Sequence, residues 1–285
     1  MPAHMRRQTS AWSAMYLHQF FAATPTPRPC VECQGDQRLD FEVRMAFQPI
    51  VDARDRSIYG YEALVRTMDG GGAGEVLARV QPGQLYRFDQ TCRVKAIATA
   101  SALGLREKLF INFFPNAVYQ PETCIRLTLQ AAQMTGFPTA NLVFEAAESE
   151  QVSDQAHVSR IFRDYRNRGF QTAIDDFGAG YAGLSSLAGF QPDLIKLDMG
   201  LVRNIDADPV RRAIVGGVAG IARAIGSTLL AEGVETAAEY HALRAIGIDL
   251  FQGYLLGRPA LERLQLVPAS TWAALATDGE TVPAD

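Results

Sequence analysis

From Met45 onward, short apolar runs alternate with stretches of helical length, and this regular alternation leaves few folds open to the chain. Met45–Val51 and Ser57–Arg66 read as two strands joined by the turn Asp52-Ala53-Arg54-Asp55, a hairpin at the start of the domain. Further strands are expected at Leu109–Phe114, Leu142–Ala146, Phe170–Ile174 and Leu194–Asp198, and in the runs that begin at Thr228 and Leu250. Between them, helical patterns cover Gln84–Leu103, Glu122–Thr135, Asp154–Arg168, Pro209–Ile225 and Ala237–Ile246, with Gly104 and Gly136 placed as helix stops. Strands and helices at this spacing predict parallel β/α units. About eight strands fit between Met45 and Leu256, which suits a TIM-type α/β barrel better than an open doubly wound sheet.

The polar residues strengthen that choice. Glu62, Asn112, Glu145, Asp175, Asp176, Lys196, Glu232 and Glu235 lie within or at the C-terminal ends of successive strands, the end at which barrels build their sites. An open sheet would gather such residues from two or three strands at a switch point. Taken singly, each is an ordinary surface or ion-pair residue; six acids in this register are hard to explain as solvated faces. The sharpest signal is Asp175-Asp176, two adjacent carboxylates after the apolar run Phe170–Ile174 and before the loop Phe177-Gly178-Ala179-Gly180. Neighbouring carboxylates repel and are costly to bury, and a divalent cation removes both problems. A solvated turn, or a helix cap at Asp176, is the bland reading of the same pair.

Composition narrows the partners. A net charge of −4 gives no basic field for duplex nucleic acid. No apolar run reaches the roughly 18 residues of a membrane span; Ala213–Ala231 comes nearest but carries Arg223 and four glycines. Four cysteines without a dense framework point to a reduced cytoplasm. Residues 1–40 differ in texture and read as an extension, flexible or a short docking helix, broken by Thr24-Pro25-Thr26-Pro27. Ser13, His18 and Gln19 interrupt the stretch a signal peptide would need, and Cys30 and Cys33 alone are too few for a zinc site. The barrel is expected over residues 41–264, with a tail at 265–285.

Five motifs in order, Glu62-Ala63-Leu64, Asp175-Asp176-Phe177-Gly178-Ala179-Gly180-Tyr181, Ile195-Lys196-Leu197-Asp198, Ala231-Glu232-Gly233-Val234-Glu235-Thr236 and Gln252-Gly253-Tyr254, resemble the EAL domain. That family comprises cyclic di-GMP phosphodiesterases, so the resemblance implies a TIM-like (β/α)8 barrel with an antiparallel first strand and cleavage of cyclic di-GMP to linear pGpG with two Mg²⁺ or Mn²⁺ ions. It further implies that Glu62, Asn112, Glu145 and Asp175 hold one metal, that Asp175 bridges to a second bound by Asp176, and that Glu232 lies at its water shell as general base. Lys196 would position the attacking water and offset charge. Arg66 would grip a substrate phosphate, with Gln48, Leu64, Asp198, Glu235 and Gln252 as further substrate contacts. The resemblance also implies a homodimer, coupled to the site through the Phe177–Tyr181 loop that Glu148 steadies. Two departures stand out: Phe114 occupies a place where the family has a small polar residue, and Ala147 replaces the threonine before Glu148. The alternatives are a catalytically weak cyclic di-GMP receptor or partner-binding module, and a barrel lyase forming a Schiff base on Lys196. No cyclase motif precedes the barrel in this sequence, so regulation is expected from oligomerisation, the extension or a separate protein.

Overall fold

A computed structural model describes residues 39–148, 150, 155–180 and 183–276. The readings made of the extension, of Cys30 and Cys33, and of Tyr181 fall outside the described residues. Strand β1 (Arg44–Asp52) turns back into β2 (Ser57–Arg66) as the hairpin pattern predicts, with Gln48 opposite Glu62 and Ile50 opposite Gly60. Strands β3 (Lys108–Asn112), β4 (Leu142–Ala147), β5 (Gln171–Phe177), β6 (Leu194–Leu197), β7 (Thr228–Ala231) and β8 (Leu250–Phe251) then add in parallel. Strand β8 pairs antiparallel with β1 through Val51 and Asp52, which closes the barrel. A short strand β9 (Ala260–Leu261), which the alternation does not signal, pairs with Ala46 and Phe47 of β1.

Helices α1 (Ala73–Leu77), α2 (Leu85–Ala102), α3 (Pro121–Cys124), α4 (Arg126–Thr135), α5 (Gln155–Asn167), α6 (Gly183–Gly189), α7 (Met199–Val202), α8 (Pro209–Ile225), α9 (Ala237–Ile246) and α10 (Ala269–Leu275) connect and flank the strands. The stop signals work as read: Gly104 and Gly136 take φ of +79° and +67°, a conformation that glycine adopts without steric cost. The helix expected over Glu122–Thr135 is divided at Ile125. Strand β3 ends at Asn112 rather than Phe114, because the Phe114 N–H donates to the Asp89 carboxylate and leaves the ladder. Residues 265–285, read as a tail, include α10, whose Trp272 and Leu275 are buried in the core around β5–β8.

Two apolar clusters lie outside the barrel wall, one between β1–β4 and the helices α2 to α5, the other between β5–β8 and α8 to α10. A third fills the barrel itself: Ile50, Phe110, Val143, Ala173, Leu194, Leu230 and Leu250, from seven of the eight barrel strands. The eighth, β2, contributes Gly60. A Cβ there would lie 2.6 Å from the Lys108 carbonyl oxygen and 2.9 Å from the Phe110 ring, so glycine makes the room that the ring fills. Side chains on a strand alternate faces with period two. Two residues beyond each member of this floor, toward one mouth of the barrel, stand Gln48, Glu62, Asn112, Glu145, Asp175, Lys196, Glu232 and Gln252. The polar ring rests on an apolar plug. Among the described residues, no helix is long and apolar enough to cross a membrane.

The close approach at Gly60 makes a prediction. Gly60→Ala should cost about 1–3 kcal/mol of unfolding free energy, the range for overpacking a filled core. Denaturant unfolding measures it, and an unchanged midpoint would contradict this packing.

Candidate active site

Lys196 sits at the centre of the polar ring and is fully buried. Its Nζ lies 2.8 Å from Glu232 Oε1, 2.9 Å from Asp175 Oδ1, 3.0 Å from Glu145 Oε1 and 3.6 Å from Glu62 Oε2. β6 places the ammonium there because Leu194, two residues earlier, faces the barrel floor. Glu62 on β2 is fixed from both sides, accepting from Asn112 Nδ2 at 2.8 Å and from Gln252 Nε2 at 2.7 Å. The Gln252 amide also donates to Gln48 Oε1 at 3.2 Å, and Gln48 in turn donates to the Gly257 carbonyl. Residues from all eight barrel strands, or the positions that directly follow them, thus form a single connected layer.

Adjacent residues of a regular strand point to opposite faces, so Asp175 and Asp176 should not both face the mouth. The register between β5 and β6 shifts between Ile174 and Phe177, and Asp176 takes φ of +54°, the left-handed region that aspartate tolerates better than most residues. That irregularity re-aims Asp176. Carboxylate oxygens of Glu62, Glu145 and Asp175 come within 4.8 Å of one another, as do those of Asp175, Asp176 and Glu232. The two acid triads share Asp175.

This donor set fits hard divalent cations. The ligands are oxygens only, which suits Mg²⁺, Mn²⁺ and Ca²⁺. Glu145 Oε2 is fully buried and accepts no hydrogen bond among the described residues, an orphan that a cation would satisfy. Five carboxylates share one ammonium, and the protonation pattern shows the imbalance. Burial pushes Glu145 well above the ordinary carboxylate range against the opposing pull of Lys196. Burial, and then the Asp175 charge, does the same to Glu232. Asp176 is pushed up to about 6 by partial burial and by Asp175. Asp175 goes the other way: burial would raise it, but the Lys196 ammonium and its hydrogen bonds outweigh that and hold it below its usual value. Lys196, which burial alone would neutralise, is held charged well above its usual range by Asp175, Glu145, Glu232 and Glu62.

Other residues singled out in the sequence lie around the ring in different employments. Arg66, at the end of β2, is half-buried, donates to its neighbour's carbonyl at Val65, and has no carboxylate partner among the described residues. Leu64 shares the face of Glu62 two residues along and is half-buried. Asp198 accepts from Gly200 N at 2.8 Å, which caps α7. Glu235 is exposed and paired with Arg203 at 2.8 Å, outside the acid ring. Glu148 accepts from Gly178 N at 2.7 Å, and its own N–H donates to the Asp175 carbonyl, so it ties the loop after Asp176 to the strand that carries it. The sequence reading did not single out Arg258, whose guanidinium lies 4.0 Å from the centre of the Tyr254 ring just after β8; the signal was the cation in Gly257-Arg258-Pro259 downstream of Gln252-Gly253-Tyr254.

The profile described as EAL domain matches residues 35–259. The blue light- and temperature-regulated antirepressor BluF of Escherichia coli K12 is 29% identical over 228 residues, 80% of this chain and 56% of that protein. The probable cyclic di-GMP phosphodiesterase PdeG of the same organism is 29% identical over 259 residues, 87% of this chain and 50% of that one. The chain therefore spans about half the length of these curated relatives. Among solved structures, the c-di-GMP-bound form of a standalone versatile EAL protein from Vibrio cholerae O395 is 51% identical with a TM-score of 0.80, covering 82% of this chain and 99% of that one. The manganese/cy-diGMP complex of Klebsiella pneumoniae BlrP1 at pH 9.0 is 33% identical with a TM-score of 0.76, covering 92% and 68%.

Cation and proton compete for these carboxylates, which fixes the sign of a pH effect. Asp176, with its carboxyl raised to about 6 in the metal-free protein, is charged at pH 7.5 and protonated at pH 5. Mn²⁺ affinity should therefore fall on acidification, by about tenfold per pH unit for each proton that must be displaced. Calorimetric titration of chelator-stripped protein measures it. An affinity that stays flat between pH 7.5 and 5 would contradict the site.

Proposed function

The chain belongs to the EAL domain family, and from that membership we propose that it is a divalent-cation-dependent phosphodiesterase that hydrolyses cyclic di-GMP to linear pGpG. The observation that carries this reading is the pair of acid triads sharing Asp175 beside a protonated lysine. Relatives named as cyclic di-GMP phosphodiesterases, and similar structures bound to that dinucleotide, support the substrate. Glu62, Asn112, Glu145 and Asp175 would hold one cation, and Asp175 with Asp176 a second. Divalent cations, when bound, neutralise charge that develops on phosphoryl oxygens and acidify water.

Glu232 takes the proton of the attacking water. Its carboxylate combines raised proton affinity with partial exposure and direct contact with the Lys196 ammonium, which Asp176, the other raised and partly exposed acid, lacks. Lys196 acts through the acids rather than on the substrate: its Nζ lies within 3.0 Å of three carboxylates, and no surface of the residue is exposed. It sets the direction of Glu232 and Asp175, and so of the water between them. The same saturation disfavours a Schiff base, which needs a neutral amine. Arg66 spends one guanidinium nitrogen on the Val65 carbonyl and has no carboxylate partner among the described residues, which leaves the rest of the fork suited to a phosphate oxygen. A homodimer coupled to the site through Glu148 and the Gly178 N–H is part of this proposal.

A receptor or partner-binding role is the second reading, favoured by the likeness to an antirepressor. Incubation with cyclic di-GMP and Mg²⁺ or Mn²⁺, with chromatography of the products, separates the two: pGpG supports the enzyme, and binding without turnover supports the receptor. In the enzyme, Glu62→Ala and Glu232→Ala should each lower kcat by at least about 100-fold, the scale of a lost general base. Glu62→Ala, which loses a ligand, should weaken Mn²⁺ binding more than Glu232→Ala, which mainly loses proton transfer. Near-normal turnover in Glu232→Ala would mean that the base is assigned wrongly.

A further inference from the structure

Arg93 on α2 is fully buried, yet it takes no part in the polar ring's hydrogen bonds and packs instead on aromatic rings of the cluster outside the barrel wall. Its Nε is 2.8 Å from Asp89 Oδ2, and its Nη1 donates to the Tyr165 hydroxyl on α5 at 2.7 Å. The guanidinium lies over the rings of Phe113, Phe144 and Tyr165, with centroids at 5.2, 5.3 and 5.8 Å. Phe113 directly follows Asn112, and Phe144 directly precedes Glu145. On a strand, neighbours face opposite ways, so the cation packs against the outer faces of the two positions whose adjacent side chains enter the acid ring. Asp89 completes the hold: its second oxygen accepts from Phe114 N at 3.1 Å, while Phe113 N donates to the Glu145 carbonyl at 2.9 Å.

A buried ion pair is a poor device for stability. Apolar residues of similar shape often serve as well or better, because the desolvation of both charges is avoided. What the pair supplies instead is direction, a fork and a carboxylate that tie α2, α5, β3 and β4 at one point. It also gives the Phe113 ring a role. Phe113 gives Arg93 an aromatic face, and the Phe114 backbone gives Asp89 a donor.

We propose that Asp89 and Arg93 are positioning residues for the cation site, acting from outside the barrel wall to fix Asn112 and Glu145 through the ends of β3 and β4. This rests on the reading of Asn112 and Glu145 as cation ligands. Residues that orient metal ligands typically matter by about 10–100-fold in metal affinity or activity.

The test uses the full chain, stripped with chelator and titrated with Mn²⁺ by calorimetry and by electron paramagnetic resonance, beside steady-state kinetics on cyclic di-GMP. Three variants are compared: Arg93→Met, the double variant Asp89→Leu/Arg93→Met, and Tyr165→Phe. The double variant removes both charges, so thermal unfolding near wild type is expected. Its Mn²⁺ affinity should nevertheless fall at least tenfold, with a broadened resonance and a lower kcat, while KM changes by less than about twofold. Tyr165→Phe deletes one hydroxyl and keeps the packing, and should shift the same quantities the same way by a smaller factor; it carries the test if the apolar variants do not fold. Wild-type Mn²⁺ affinity and kcat in a folded double variant, or in Tyr165→Phe where that variant stands alone, would overturn the proposal and reduce the pair to packing. A wild-type protein that itself fails to bind Mn²⁺ would overturn the underlying cation site instead, a result visible before any variant is compared.

Discussion

The structure depends on one buried ammonium. Four carboxylates drawn into a single layer of a barrel would repel one another and lose their hydration, at several kcal/mol per ion. Lys196 makes that layer tolerable in the absence of any cation, with Nζ within 3.0 Å of Glu145, Asp175 and Glu232 and within 3.6 Å of Glu62. Its single charge is still too little for five acids. The remainder shows in the raised affinities of Glu145, Glu232 and Asp176 for protons, and in a Glu145 oxygen with no donor among the described residues. A ring held together but under-neutralised is a ring prepared for cations.

Everything else places that ring. The apolar plug of Ile50, Phe110, Val143, Ala173, Leu194, Leu230 and Leu250 sets its floor, and period-two alternation carries the polar layer to the mouth. Gly60 gives Phe110 its space. The left-handed turn at Asp176 overrides the alternation at the one position where two neighbours must face the same way. Glu148 then binds the loop back to β5 through Gly178 and the Asp175 carbonyl.

Much of this was legible in the sequence, because the signals were local. The hairpin, the parallel strands and the glycine stops follow from runs of a few residues, and Glu62, Asn112, Glu145, Asp175, Lys196 and Glu232 mark strand ends by their misplaced polarity. The illegible parts depend on partners distant in the chain. Nothing in the helical pattern Gln84–Leu103 marks Arg93 as buried; Asp89 and Tyr165, the latter far along the chain, enclose it. Asp198 and Glu235 carry the same polarity as the ring acids, yet one caps α7 and the other meets Arg203. β9 is two residues long, and α10 is anchored by Trp272, neither of which leaves a periodic pattern to read. Lys196 was visible as a charged member of the site amid acids, but its burial and its simultaneous contact with four of them were not.

The most direct measurement of the central claim is the pH dependence of unfolding of Lys196→Met in chelator, beside wild type. In the wild type, Lys196 is raised above its unfolded value, so its contribution is present throughout the neutral range and is lost only as pH rises past that elevated value. In the variant, the orphaned carboxylates should be raised far above their unfolded values. Stability is then present below the ordinary carboxylate range and falls as pH rises toward neutrality. The account predicts a variant close to wild type near pH 4.5, increasingly weaker from pH 5 to pH 8, and restored by Mn²⁺. A variant that tracks the wild type across this range in chelator would contradict it.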